Sequence, residues 1–159
     1  MKTGILASWG VIVVVAGCSG VQRVEKATAA RPVGEGSVAV AVEGITSDKG
    51  TVYGSIYLTT DGFPEDKTLA YAYEYAAAAD VDDGSILLNF PSVPAGWFVV
   101  AILHDRDGNE ELSFNAIGMP KESYGFSRNP DSLWGPPHFD DAAVFLEPGE
   151  TKRLTVTIE

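Results

Sequence analysis

From residue 37 onward, hydrophobic and polar positions alternate with a period of two. Val38, Val40 and Val42 alternate with Ala39, Ala41 and Glu43, which puts the three valines on one face of a strand. Residues 46–50 (TSDKG) have turn composition, and residues 51–59 (TVYGSIYLT) form a second run rich in β-branched and aromatic side chains. Together they predict an antiparallel hairpin. Residues 64–79 allow two readings. One is a short helix through residues 69–79 (LAYAYEYAAAA) capped by Asp66. The other, which the alternation of Tyr71, Tyr73 and Tyr75 favours, is a helical turn after Pro64 and then a strand with the three rings on one face. Residues 80–84 (DVDDG) are a turn, residues 85–90 a strand, and residues 91–96 (PSVPAG) a tight connection.

Residues 97–103 (WFVVAIL) are a continuous apolar run bounded by turn signals, the pattern of a central strand covered on both faces. Residues 142–146 and 153–158 predict two more strands, joined by Glu147-Pro148-Gly149-Glu150. Short strands with punctuating turns and no long helical period predict an all-β chain, a single antiparallel β-sandwich. Residues 104–141 show neither period and are rich in Gly, Pro, Asn and aromatics. A long ordered loop between late strands is uncommon and usually functional, so the expectation is an ordered lid at one end of the sandwich.

The N-terminus carries a different pattern. Lys2 precedes a short apolar run over residues 5–16. A spanning helix takes about 20 apolar residues, so the run reads as a signal peptide. Val15-Ala16-Gly17-Cys18 resembles the lipobox of bacterial lipoproteins. That resemblance implies cleavage before Cys18, a diacylglycerol on its sulfur and an acyl chain on its amine. Ser19 rather than Asp implies sorting to the outer membrane, facing the periplasm. Cys18 is also the only cysteine, so no internal disulfide forms. The expected organisation is a signal peptide over 1–17, a lipidated N-terminus and flexible tether over 18–36, and the sandwich over 37–159.

The chain carries a formal charge of −11 with 11 Lys and Arg against 22 Asp and Glu. Removing residues 1–17 takes away one Lys and makes the charge −12. Nucleic acids and anionic headgroups are bound through Lys and Arg patches, so an acidic body argues against both. The membrane is expected as a partner only through the anchor.

Candidate chemistry concentrates in the long loop. Asp105, Asp107, Asn109 and Glu111 place oxygens at alternate positions, a spacing with which calcium loops curl around an ion. Gly108 is fourth rather than sixth, however, and Ala116 occupies the twelfth place, so a calcium site needs closure by Asn115, Glu122, Asp140 or Asp141. The other reading of the same spacing is a set of Asx-turns bonding nearby backbone N–H groups. His104 and His138 are too few for a zinc site without carboxylates, and Ser127 lies in no G-x-S-x-G elbow. Phe114, Tyr124, Phe126, Trp134 and Phe139 either pin the loop to the sandwich or line a groove. In the second case Lys121, Glu122, Tyr124, Arg128 and Trp134 are its ligand-binding residues.

From Pro94 onward the landmarks run Pro94-Ala95-Gly96, then HDRDGN at 104–109, Asn115, Gly118-Met119-Pro120-Lys121-Glu122, Tyr124-Gly125-Phe126-Ser127, and Gly135-Pro136-Pro137 through Phe139-Asp140-Asp141-Ala142. In content and order this run resembles DUF2141, a family of exported bacterial domains of unknown function. Arg106, Asp107 and Trp97 depart from the residues most usual in that family. The resemblance implies an immunoglobulin- or transthyretin-like sandwich and carries no catalytic residues. The expectation is a non-enzymatic envelope lipoprotein, a structural or ligand-binding module. The alternative is a calcium-dependent or glycan- or peptide-binding module that uses the 104–141 loop.

Overall fold

The computed structural model describes residues 31–131 and 135–159. The lipobox-like residues with Cys18, the first part of the expected tether and Trp134 lie outside the described residues. Those described form β1 (Glu35–Glu43), β2 (Thr51–Tyr57), β3 (Ala72–Ala77), β4 (Ser85–Pro94), β5 (Gly96–Asp105), β6 (Ser123–Phe126), β7 (Val144–Leu146) and β8 (Thr151–Thr157), with one short helix, α1 (Phe139–Ala142). One sheet has the order β4-β1-β8; the other runs β3-β2-β5-β6, with β7 also paired to β5. The sheets pack as a β-sandwich, and the chain is all-β, as its alternation predicts.

The core lies between the sheets. Val38, Val40 and Val42 from β1, with Ile86, Leu88 and Phe90 from β4, meet Val52 and Ile56 from β2 and Phe98, Val100 and Ile102 from β5. Burying each such side chain contributes about 1.5–3 kcal/mol. β5 is central, and its outer face is covered too. Val99 on that face packs with Phe126, Ala142 and Ala143, and Phe63, Tyr124 and Phe139 close over them. The Phe63 ring meets Phe126 and Phe139 edge-on at 5.6 and 5.8 Å. Tyr124, Phe126 and Phe139 thus pin the loop, whereas Phe114 is 55% exposed and does not.

Four expectations need correction. β1 and β2 are not a hairpin: β1 pairs with β4 and β8, and β2 with β3 and β5. Two strands with one apolar face each bury both faces by opposing them across the sandwich. Side by side, both faces would still need a cover. The crossing segment turns at Gly44 and Gly50, with φ of 86° and 85°, a backbone region that favours glycine. Second, the sandwich is not wholly antiparallel, because β1 and β8 run parallel. Third, residues 91–94 extend β4 rather than connect it to β5. Pro91 and Pro94 are tolerated because β4 is an edge strand, where a missing donor breaks no ladder. Fourth, the 104–141 stretch is not free of regular structure. His104 and Asp105 end β5, and Tyr124-Gly125-Phe126 lie in β6, which is too short to show a period.

The turn after Pro64 is present as a 3₁₀ turn, Lys67–Leu69, where Asp66 accepts the Thr68 N–H at 2.9 Å. The tether ends earlier than residue 36. Arg31 donates from Nε to the Ala95 carbonyl at 2.8 Å and from Nη2 to the Trp97 carbonyl at 2.9 Å, and the Ala95 N–H reaches the Gly34 carbonyl at 2.9 Å. Residues 31–36 therefore belong to the folded body.

Candidate functional site

β5 delivers two consecutive side chains to opposite faces of its sheet, because successive residues of a strand alternate. His104 points into the sandwich, where Nε2 meets the Lys49 carbonyl at 2.9 Å. A carbonyl only accepts, so Nε2 carries the hydrogen; Nδ1 has no partner among the described residues. Asp105 points outward under the loop and is fully buried. Its Oδ1 accepts the N–H groups of Asp107 and Gly108 at 3.1 and 2.7 Å, and Oδ2 accepts that of Glu110 at 2.8 Å. Burial works against its ionisation, but the N–H groups of Glu110, Gly108, Asp107 and Asn109 outweigh it and hold the carboxyl below the ordinary aspartate range.

The Asx pattern continues along the loop. Asp107 Oδ1 accepts the Asn109 N–H at 3.2 Å, and Asn109 Oδ1 accepts the Glu111 N–H at 2.8 Å. Asn115 repeats the motif with Ile117 and Met119 at 3.0 and 2.9 Å. Glu122, expected at the edge of a ligand groove, is instead buried. Its two oxygens accept the N–H groups of Arg106 at 2.9 Å and Ser113 at 3.0 Å, so it closes the loop from the β6 side.

Of the four predicted calcium ligands, Asp105 and Asp107 converge, and Glu122 joins them. One oxygen from each lies within 4.8 Å of the others. Glu111 is not part of this cluster, and the Asn109 side chain reaches that of Asp107 through the Ser113 hydroxyl, which bonds both. Asp107 and Glu122 also line a concavity of ≈ 360 Å³ with Ser47, Lys49, Arg106 and Lys121. Three cationic side chains thus share the mouth of the acidic cluster.

Among the described residues, the predicted groove residues are spread along β6 and its two flanks. Lys121 and Arg128 flank opposite ends of β6, Tyr124 packs edge-on against Phe126 at 5.8 Å, and Trp134 lies outside the described residues. Ser127 is buried and holds backbone: its Oγ accepts the Val100 N–H at 3.0 Å and donates to the Ala142 carbonyl at 2.6 Å. His138 lies on the exposed approach to α1.

A second concavity, of ≈ 290 Å³, is lined by Lys67, Thr68, Tyr73 and Glu110. Sequence reasoning missed the pairing of Lys67 with Glu110, which lie 43 residues apart. The only signal available was the alternation of the tyrosines beside it.

The profile of a family described as "Uncharacterized protein conserved in bacteria (DUF2141)" matches residues 40–153, well over half of the chain. The protein belongs to that family. The DUF2141 match begins within β1, so it includes the N-terminal strands as well as the stretch from Pro94. No curated protein and no solved structure matches the chain.

Proposed function

We propose that this DUF2141 protein is a non-enzymatic lipoprotein of the cell envelope, anchored through Cys18 and serving as a structural or ligand-binding sandwich. The observation that supports the non-enzymatic reading is the engagement of its polar groups. Ser127 Oγ, the Asp105 carboxylate and the Glu122 carboxylate all hold backbone groups of the 100–142 region. A nucleophile or general base needs a reachable lone pair or hydrogen, and these are enclosed. The anchor reading rests on the lipobox-like residues 15–18, followed by a body that begins at Arg31. Labelling with radioactive palmitate tests it: Cys18→Ser should lose the label and leave the membrane fraction. Unchanged labelling and sorting would remove the anchor.

A second reading, calcium-dependent rigidity of the loop, is favoured by the convergence of Asp105, Asp107 and Glu122. Calcium would complete a cage of oxygens already curled by the Asx-turns. Against it stand Lys49, Arg106 and Lys121 at the same mouth, which supply countercharge from the protein itself. Thermal melts with chelator and with millimolar calcium separate the two readings.

A further inference from the structure

We propose that the outer face of β2 and β3 is a saccharide-binding site, with Tyr53, Tyr73 and Tyr75 as its floor and Lys67 and Glu110 as its wall. The proposal deepens the reading of the sandwich as a ligand-binding module and does not depend on the lipid anchor. Tyr75 lies opposite Tyr53 in the β2–β3 register. Tyr73 stacks on Tyr53 with centroids 5.4 Å apart and planes 19° from parallel, and Tyr75 lies 6.0 and 6.3 Å from the two rings. Tyr73 and Tyr75 remain 39% and 66% exposed, so the cluster is a surface rather than a core.

The wall is held from two sides. Lys67 Nζ meets Glu110 Oε2 at 2.6 Å and the Glu110 carbonyl at 3.1 Å, while Asp105 accepts the Glu110 N–H. Glu110 has φ of 59°, outside the usual region for a residue with a side chain. Such a conformation persists where surrounding contacts over-determine it, and these cluster at binding sites. The result is a carboxylate and an ammonium fixed beside Tyr73 of the aromatic floor, with Thr68 lining the same concavity.

A pyranose ring has one face of C–H groups and an edge of hydroxyls. Aromatic faces bury the first, and a few fixed polar groups orient the second. A paired acceptor and donor also complement the N–H and C=O of an acetamido substituent, so the class inferred is an N-acetylated hexosamine. The ion pair is neutral as a unit, which gives no preference to a charged ligand. Burial first, then Tyr53, Glu110 and Asp105, pushes the Tyr73 hydroxyl up to about 12, which marks how closely the wall sits on this ring.

The size of the patch argues against a second copy of the chain. Tyr73 and Tyr75 are 39% and 66% exposed, and Tyr71, counted with them as the next ring of the same alternation, is 46% exposed. Side chains of this type carry about 150–250 Å² each, which leaves roughly 200–400 Å². A stable dimer buries about 800 Å² per partner.

Isothermal titration of the full chain in detergent with tri-N-acetylchitotriose tests the site. Binding with a Kd between about 10 μM and 1 mM is expected for so small a contact. Tyr75→Ala and Glu110→Gln should each weaken it tenfold or more, with circular dichroism unchanged in the exposed Tyr75 variant. Cys18→Ser should bind like the wild type, so loss of the anchor reading leaves the site intact. Absence of binding by folded protein, or binding indifferent to both variants, overturns the proposal. A wild-type dimer that Tyr75→Ala converts to monomer in sedimentation overturns it too, because the face is then an interface between copies.

Discussion

Asp105 Oδ2 accepts the backbone N–H of Glu110 at 2.8 Å, and through that bond the last residue of β5 sets the wall of the tyrosine face. The carboxylate is buried under the loop it organises. The acidic run 105–111 therefore works as a bracket, with Asp105 as its fixed end and Glu110 as its displayed one.

Replacing Asp105 with Asn should destabilise the fold by roughly 1–3 kcal/mol, because an amide NH₂ then faces an N–H that has lost its acceptor. The loss should depend on pH with a definite sign. The folded pKa lies below the ordinary value of about 3.9, so the stabilisation is present above about pH 4. It is lost as pH falls through the lower folded value. Urea melts of both proteins from pH 6 to pH 2 should therefore converge at the acid end. A constant gap would mean that the charge of Asp105 is not what matters.

Ser127→Ala should cost roughly 2–4 kcal/mol, since it strips partners from the Val100 N–H and the Ala142 carbonyl together, each in a buried place. Denaturant titration reads this directly. A variant as stable as the wild type would show that the hydroxyl does not bridge β5 to α1.

Gly50→Ala should be worse than an ordinary surface change, by roughly 2–4 kcal/mol. Gly50 has φ of 85°, and a Cβ there runs into the Asp105 carbonyl. The affected segment is the crossing between sheets, so the melting temperature should fall while far-UV circular dichroism keeps its β character below the transition. A melt unchanged from wild type would place the crossing elsewhere.

Melts in chelator and in millimolar calcium should superimpose if the Asx-turns and the neighbouring cations suffice to hold the loop. Calcium that binds the folded state raises the melting temperature with its concentration. A rise that Asp107→Ala abolishes would establish the second reading of the loop.

Arg31→Ala should release the segment ahead of β1. Limited proteolysis should then cut near residues 31–34 faster, at a stability loss of about 1 kcal/mol from its carbonyl bonds. Equal cutting rates would return this segment to the tether.

Local physics was legible in the sequence. Alternating valines named the inward face of β1, and the apolar run named β5 as the covered central strand. The turn after Pro64 was announced too, although the longer helix for which Asp66 would be the cap is strand β3 instead. The spacing of Asp105, Asp107 and Asn109 announced Asx-turns because each acts on an N–H two residues away. These interactions span one to five residues, and the chain order contains them.

What covers a face was decided only in three dimensions. Alternation shows that Val38, Val40 and Val42 share a side, but not whether the strand beside them in sequence lies beside or opposite them in space. The same ambiguity hid the use of Tyr73 and Tyr75, since a period of two is identical for an inward and an outward face. β6, the Glu122 clasp on Arg106 and Ser113, the Arg31 contact with Ala95 and the Lys67–Glu110 pair join residues 9 to 64 positions apart. A hydrogen bond or ion pair across that distance leaves no period in the chain, because its geometry exists only after the two sheets have packed.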